Sequence, residues 1–264
     1  MLHFKSEREY SRPMLLLKNL LLVSIATTLS VNAQSPAKAA PATTAAAPAL
    51  GNDIPLAGWM IIGDKTKAFG PKEEAGTITF TGAGFGDKGK NGAVYFTKTE
   101  LVEGSTLELN AKVTFVGVSG MGNFRYGIFQ KRSKDHARGW LGYCAYAGID
   151  KKFPKGGLFA SEAGNDANFD SSTSRTLGES LAAFKNIKDG SYNLTIEMTR
   201  SGAAIATKTS LAPEADPGSP VEQYSVTDST PSTFTFDAFG FSTHQVLSAD
   251  SIQFSNVSLR QLTK

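Results

Sequence analysis

The chain has 264 residues, 41% apolar and 19% charged, with 26 Gly and 17 Phe; this mix excludes a wholly disordered chain and suits short strands and tight turns better than long charged helices. The formal net charge is +3, and without the first 33 residues, where Lys5, Arg8, Arg12 and Lys18 face only Glu7 and Glu9, 23 basic and 22 acidic residues remain. That balance gives no global reason to expect nucleic acid as a partner, and a single cysteine, Cys144, excludes an intramolecular disulfide or a multi-cysteine zinc site.

The first element is an export signal over residues 1–33. Residues 14–33 read MLLLKNLLLVSIATTLSVNA: one Lys, an apolar stretch from Leu20 to Ile25 broken only by Ser24, then Val31 and Ala33 at the −3 and −1 positions of a cleavage site before Gln34. Met14 is the expected start, because Met1 to Pro13 is unusually charged for the head of such a signal. The residue directly after the cleavage site is Gln34 and not Cys, so no lipid anchor is expected, and no later segment is long and apolar enough to span a bilayer. The expected location is secreted, periplasmic or cell-surface associated. Residues 34–51 form a tether of Ala, Pro and Thr with no aromatic residue, and residues 52–264 are the folded domain.

Within the domain, Thr77 to Phe80 and Ala93 to Phe96 read as strands, separated by Gly82-Ala83-Gly84-Phe85-Gly86, a hairpin loop and not a nucleotide loop, since no helix follows. From Ser105 to Phe115, Leu107, Leu109, Ala111, Val113 and Phe115 alternate with Glu108, Asn110, Lys112 and Thr114, which puts one set inward and the other toward water. Phe124 to Gln130, Trp140 to Tyr146 and Gly157 to Ala160 are further strands. Gly178 to Asn186 carries the one helical spacing, through Leu181 and Phe184. After a turn at Asp189-Gly190, Tyr192, Leu194, Ile196 and Met198 alternate with polar residues. Ala203 to Thr207, Phe234 to Phe241 and Ile252 to Leu259 complete the set. In the last, Ile252 and Phe254 fall out of phase with Val257 and Leu259, as a bulge near Ser255 would produce. Many strands with almost no helix define an all-β antiparallel sandwich, and loops of uneven length favour a jelly roll over an up-and-down barrel.

The order Phe124-Arg125-Tyr126-Gly127-Ile128-Phe129, Gly139-Trp140-Leu141-Gly142-Tyr143, Gly157-Leu158-Phe159, Asp189-Gly190-Ser191-Tyr192, Phe239-Gly240-Phe241 and Ser251-Ile252-Gln253-Phe254 resembles a group of secreted bacterial concanavalin A-like (laminin-G-like) sandwich proteins of planctomycete and verrucomicrobial type. The resemblance covers Trp59 to Leu262 and implies a sandwich fold and carbohydrate recognition. It supplies no catalytic motif. Members often carry a C-terminal sorting anchor, which Leu262-Thr263-Lys264 does not match.

Several constellations bear on chemistry. Retaining glycosidases on such sandwiches need two carboxylates about 5 Å apart on one strand face, and no Glu-x-Asp-x-(x)-Glu run exists here. For a polysaccharide lyase, Arg125, Gln130, His136 and Tyr143 supply groups to move a proton and neutralise a uronate carboxylate. Residues 131–155 hold Lys131, Arg132, Lys134, Arg138, Lys151, Lys152 and Lys155 against Asp135 and Asp150, a basic segment suited to a sulfated or uronate-bearing glycan. Trp140, Tyr143 and Tyr146 lie within it as aromatic faces for sugar rings. Asp166, Asn168 and Asp170 offer oxygens at alternate positions as candidate calcium ligands, though Ser171 and Leu177 depart from the EF-hand pattern. Cys144 reads as a small core residue, and the sequons at Asn193 and Asn256 lie within strands. The leading expectation is therefore a non-catalytic module for a polysaccharide or surface glycan. The alternatives are a lyase or glycoside hydrolase acting on an acidic polysaccharide, and a structural envelope protein.

Overall fold

The computed structural model describes residues 51–62, 71–81, 91–120, 122–131, 140–148, 157–161, 174–182, 185–245 and 247–263. These form two antiparallel sheets and, among the described residues, no helix. The seven-stranded sheet runs in the order β10 (Ser174–Gly178), β9 (Gly157–Ser161), β8 (Trp140–Ala147), β7 (Gly122–Lys131), β14 (Thr235–Gln245), β5 (Asn91–Glu100) and β2 (Leu56–Ile62). The eight-stranded sheet runs β13 (Glu222–Asp228), β12 (Ala204–Pro213), β11 (Gly190–Ser201), β6 (Thr106–Val116), β15 (Ser251–Leu262), β4 (Thr77–Thr81) and β3 (Lys72–Glu74), with β1 (Gly51–Asp53) also on β15. This is the all-β antiparallel sandwich expected from the strand pattern.

The short helix expected over Gly178 to Asn186 is not formed. Gly178 ends a strand, residues 179–182 are irregular, and Leu181 is 68% exposed while its N–H bonds Gln223 O at 2.7 Å. An apolar residue with no core to enter cannot make the spacing amphipathic. Strands β1, β2, β3, β10 and β13 are additional to those read from the sequence. The bulge in β15 is present: pairing with β6 shifts between Ser255 and Ser258, and Asn256 takes a φ of 51°, a conformation Asn tolerates better than most residues.

The core lies between the sheets. Leu107, Leu109, Val113 and Phe115 of β6 and Leu194, Ile196 and Met198 of β11 face Phe124, Tyr126 and Ile128 of β7 and Phe239 and Phe241 of β14. At one end, the fully buried Phe254 packs 4.5 Å from Phe241 and 5.2 Å from Trp59, centroid to centroid. The outward face of the eight-stranded sheet is polar: Thr106 bonds Thr199 at 2.7 Å, Thr114 bonds Ser191 at 2.8 Å, and Lys112 pairs with Glu214 at 2.7 Å.

The seven-stranded sheet differs, because β7 is buried from Gly122 to Phe129 and β8 is buried along its whole length. Both sides of these two strands are packed. Close approach of these strands needs glycine: a Cβ on Gly127 would strike Tyr143 O, and one on Gly142, at φ 152°, would strike Ile128 O. Because Phe254 joins both sheets, Phe254→Ala is expected to cost about 3–5 kcal/mol, read as a lower urea midpoint at unchanged slope.

Candidate functional site

Side chains alternate across each strand of the seven-stranded sheet, so its outer face can be read residue by residue. Phe129, Trp140, Cys144, Tyr146, Phe159, Ala93 and Ala238 form a second cluster there, with Met60 and Tyr95 against it. Arg125 is on the same face, its guanidinium carbon 4.3 Å from the centre of the Tyr146 ring and its Nε donating to Asn123 Oδ1 at 2.8 Å. A cation held flat on an aromatic face keeps part of its electrostatic compensation after losing water. Arg125 is only 1% exposed.

The far end of the face is more open. Tyr95 is half-buried and stacks on Trp140 with centroids 6.4 Å apart and planes 22° apart, and the Lys131 ammonium lies 5.1 Å over the Tyr95 ring. A bulge between Phe236 and Ala238 sets Asp237 beside them, where its Oδ1 accepts the Lys131 N–H at 2.7 Å. Burial, and then the Asp237 charge, pushes the Tyr95 hydroxyl up to about 12. Burial also raises Asp237 above the usual carboxylate range, against the pull of Lys131 and Lys98.

Behind this face, the edge strand β13 fastens the sheet from the core side. Its inward residues are Glu222, Tyr224 and Asp228, each at most 1% exposed. Tyr126 and Thr209 hydroxyls donate to the two Glu222 oxygens. The Tyr224 hydroxyl donates to Tyr146 O at 2.7 Å and accepts the Gly157 N–H at 2.6 Å. Asp228 accepts from Tyr143 Oη at 3.0 Å and from Arg175 Nη2 at 2.7 Å. Desolvation pushes Glu222 up to about 7 despite the hydroxyls that favour its charged form.

The expected site residues therefore divide. Arg125, Lys131, Trp140 and Tyr146 share the outer face. Tyr143 does not: it lies three residues from Trp140, faces the inter-sheet core and bonds Asp228, which corrects its expected role in a ligand face or beside Arg125 in lyase chemistry. Gln130 is half-buried and accepts from Thr233 Oγ1 at 2.9 Å. Trp140 and Tyr146, expected to stack on sugars, are almost fully buried, so the accessible ring of the group is Tyr95. Cys144 is the small buried residue expected of it. Arg132, Lys134, His136, Arg138, Lys151, Lys152, Asp166, Asn168 and Asp170 lie outside the described residues. Among the described residues no group of three His, Cys, Asp or Glu side chains can hold a metal, and no helix is long and apolar enough to cross a membrane.

The architecture is that of a two-sheet antiparallel β-sandwich, defined by its own strand order. No protein-family model matches the chain, and no curated protein matches it in sequence. Among solved structures it is similar to the metal-free carbohydrate recognition domain of Emp46p, at 14% identity and a TM-score of 0.48, covering 77% of this chain and 87% of that one. Winged bean acidic lectin complexed with methyl-α-D-galactose shows 10% identity and a TM-score of 0.45 over 81% and 99% of the two chains. The VIP36 exoplasmic/lumenal domain in its Ca2+/Man3GlcNAc-bound form shows 12% and 0.43 over 78% and 86%. Values this low place no ligand on this chain.

Glu222 yields a pH prediction. Its folded pKa, about 7, lies above the ordinary carboxylate value, so the stability it allows is complete below about pH 4.5 and is lost as pH rises to about 7. Glu222→Gln removes that dependence and is expected to be more stable than the parent by roughly 3 kcal/mol above neutrality, with little difference in acid. Urea unfolding of both proteins at about pH 4.5 and about pH 8 checks the sign.

Proposed function

We propose that this protein is an exported, non-catalytic carbohydrate-binding module for anionic glycans, and that sugar rings pack on the open end of the seven-stranded sheet. The observation that carries the reading is the chemistry of that outer face. Where the eight-stranded sheet turns Thr, Ser, Lys and Glu to water, this one presents Tyr95, backed by Trp140, between the Lys131 ammonium and the Asp237 carboxylate. An aromatic face receives the apolar side of a sugar ring, and flanking charged groups bond its hydroxyls. The basic residues of 131–155 supply attraction for acidic chains, and the signal-like residues 14–33 support export. Two of the similar structures are a carbohydrate recognition domain and a lectin, and the third is bound to Man3GlcNAc, which accords with this reading without carrying it. Calcium through Asp166, Asn168 and Asp170 belongs to the same proposal and is tested with it.

A glycan array probed with the purified protein, in calcium and in chelator, is expected to show binding to acidic oligosaccharides. Tyr95→Ala is expected to weaken that binding about tenfold while moving the urea midpoint less than Phe254→Ala does. An array without binding in either condition overturns the module. Unsaturated products or new reducing ends from an acidic polysaccharide would replace it with an enzyme.

A further inference from the structure

Strand β13 is the edge of the eight-stranded sheet and has one ladder, to β12. Its other edge meets the chain at a single residue: the Leu181 N–H donates to Gln223 O at 2.7 Å, and the Gln223 N–H donates to Ser180 Oγ at 3.1 Å. Irregular segments 214–221 and 229–234 join it to β12 and β14, so it can leave the sandwich while those strands stay paired. Its inward positions are Glu222, Tyr224, Val226 and Asp228, and the one aliphatic residue among them, Val226, is half-buried. The hold of β13 on the opposite sheet is therefore polar, through Tyr126, Tyr143, Arg175, Tyr146 O and the Gly157 N–H.

Its two carboxylates are provided for differently. Asp228 has the Arg175 guanidinium at 2.7 Å. Glu222 is 0% exposed, and its partners among the described residues are hydroxyls, Tyr126 from β7 and Thr209 from β12. Along β13 it faces Tyr224, behind which lies Cys144 of β8. The charged side chains of the surrounding elements are engaged elsewhere: Lys208 of β12 is exposed on the outer face near Glu197, Lys185 bonds Ser219 O at 3.2 Å at the surface, and the Asp228 and Arg175 pair is six residues further along, about 20 Å. A carboxylate out of water with no cation beside it favours its neutral form, in keeping with the value near 7 to which burial pushes Glu222. Neutral, it donates to one hydroxyl and accepts from the other. Ionised, it accepts from both but carries a desolvated charge, which departure of the strand returns to water.

We propose that β13 is a pH-operated latch, closed in weak acid while Glu222 is neutral and released locally as the pH rises to neutrality, with the rest of the sandwich still folded. The latch is independent of the carbohydrate-binding reading. Its release withdraws the ties to β7, β8, β9 and β10 together, whereas β6 and β11 keep their apolar hold through Leu107, Leu109, Leu194 and Ile196. The sign follows from the raised value in the closed state: opening is rarest below about pH 4.5, where Glu222 is neutral in both states, and grows until about pH 7.

Amide hydrogen exchange of the intact protein at pH 5 and pH 8, corrected for the intrinsic exchange rate and repeated in low urea, tests it. The opening that exposes the β13 amides is expected to be roughly seventyfold more populated at pH 8, to exceed that of β6 and β11 at both pH values, and to be insensitive to low urea, as a local opening is. Glu222→Gln is expected to remove the pH dependence of β13. Tyr126→Phe takes one donor from the ionised carboxylate and is expected to raise β13 exchange further at pH 8 with little change at pH 5, which keeps the test decisive where Glu222→Gln does not fold. Exchange of β13 in step with β6 and β11 at both pH values overturns the latch, because Glu222 then acts through global unfolding. So does β13 exchange that is independent of pH, a Glu222→Gln variant that keeps the parent's pH dependence, or a Tyr126→Phe variant with unchanged β13 exchange at pH 8.

Discussion

Burial of β7 and β8 on both faces is the constraint from which the other features follow. A strand packed on one side only can place polar residues opposite its core residues, as β6 does with Glu108, Asn110 and Lys112. Strands β7 and β8 have no such side. Their outer positions must be apolar, very small, or polar with local compensation, and all three solutions occur: Phe129 and Trp140, then Gly127 and Gly142, then Arg125 laid on Tyr146 and tied to Asn123. Polar groups in such a setting gain strength from the low local dielectric.

The sheet is held from behind by the edge strand β13. Its three inward polar side chains reach Tyr126 of β7, the backbone of β8 and β9, Tyr143 of β8, and Arg175 of β10. Tyrosine is well matched to this task, since its ring fills core volume and its hydroxyl meets a carboxylate or amide at the far sheet. The outer face of the sheet is thus positioned by contacts made on its core side.

Which parts of this were legible in the sequence follows from the same packing. Strands β6 and β11 alternate cleanly because one side of each meets water. The bulge in β15 announced itself as a phase break between Phe254 and Val257. Strand β13 escaped notice because Glu222 and Asp228 sit at inward positions, which reverses the expected alternation, and β1 and β3 are three exposed residues each. Gly58, at φ 65°, breaks the period of β2 at a register shift. Arg125, Lys131 and Trp140 were found through charge and aromatic content in one stretch of chain. Tyr95 and Asp237 were not, since they reach that stretch only through the pairing of β5 and β14 with β7. The odd spacing between Trp140 and Tyr143 already placed them on opposite faces, a signal that the continuous apolar run obscured.

The bulge at Asn256 also bears on how the domain assembles. On one side of it β15 pairs with β4 through Ser251 to Phe254, and on the other with β1 through Arg260 to Leu262, while β6 runs along the opposite edge of both halves. One late strand thereby closes three that are made much earlier. The eight-stranded sheet cannot be completed until that strand has emerged, so its closure is a slow, long-range step. Until then β4 and β6 present open edges, the state in which the chain is most exposed to pairing with another copy.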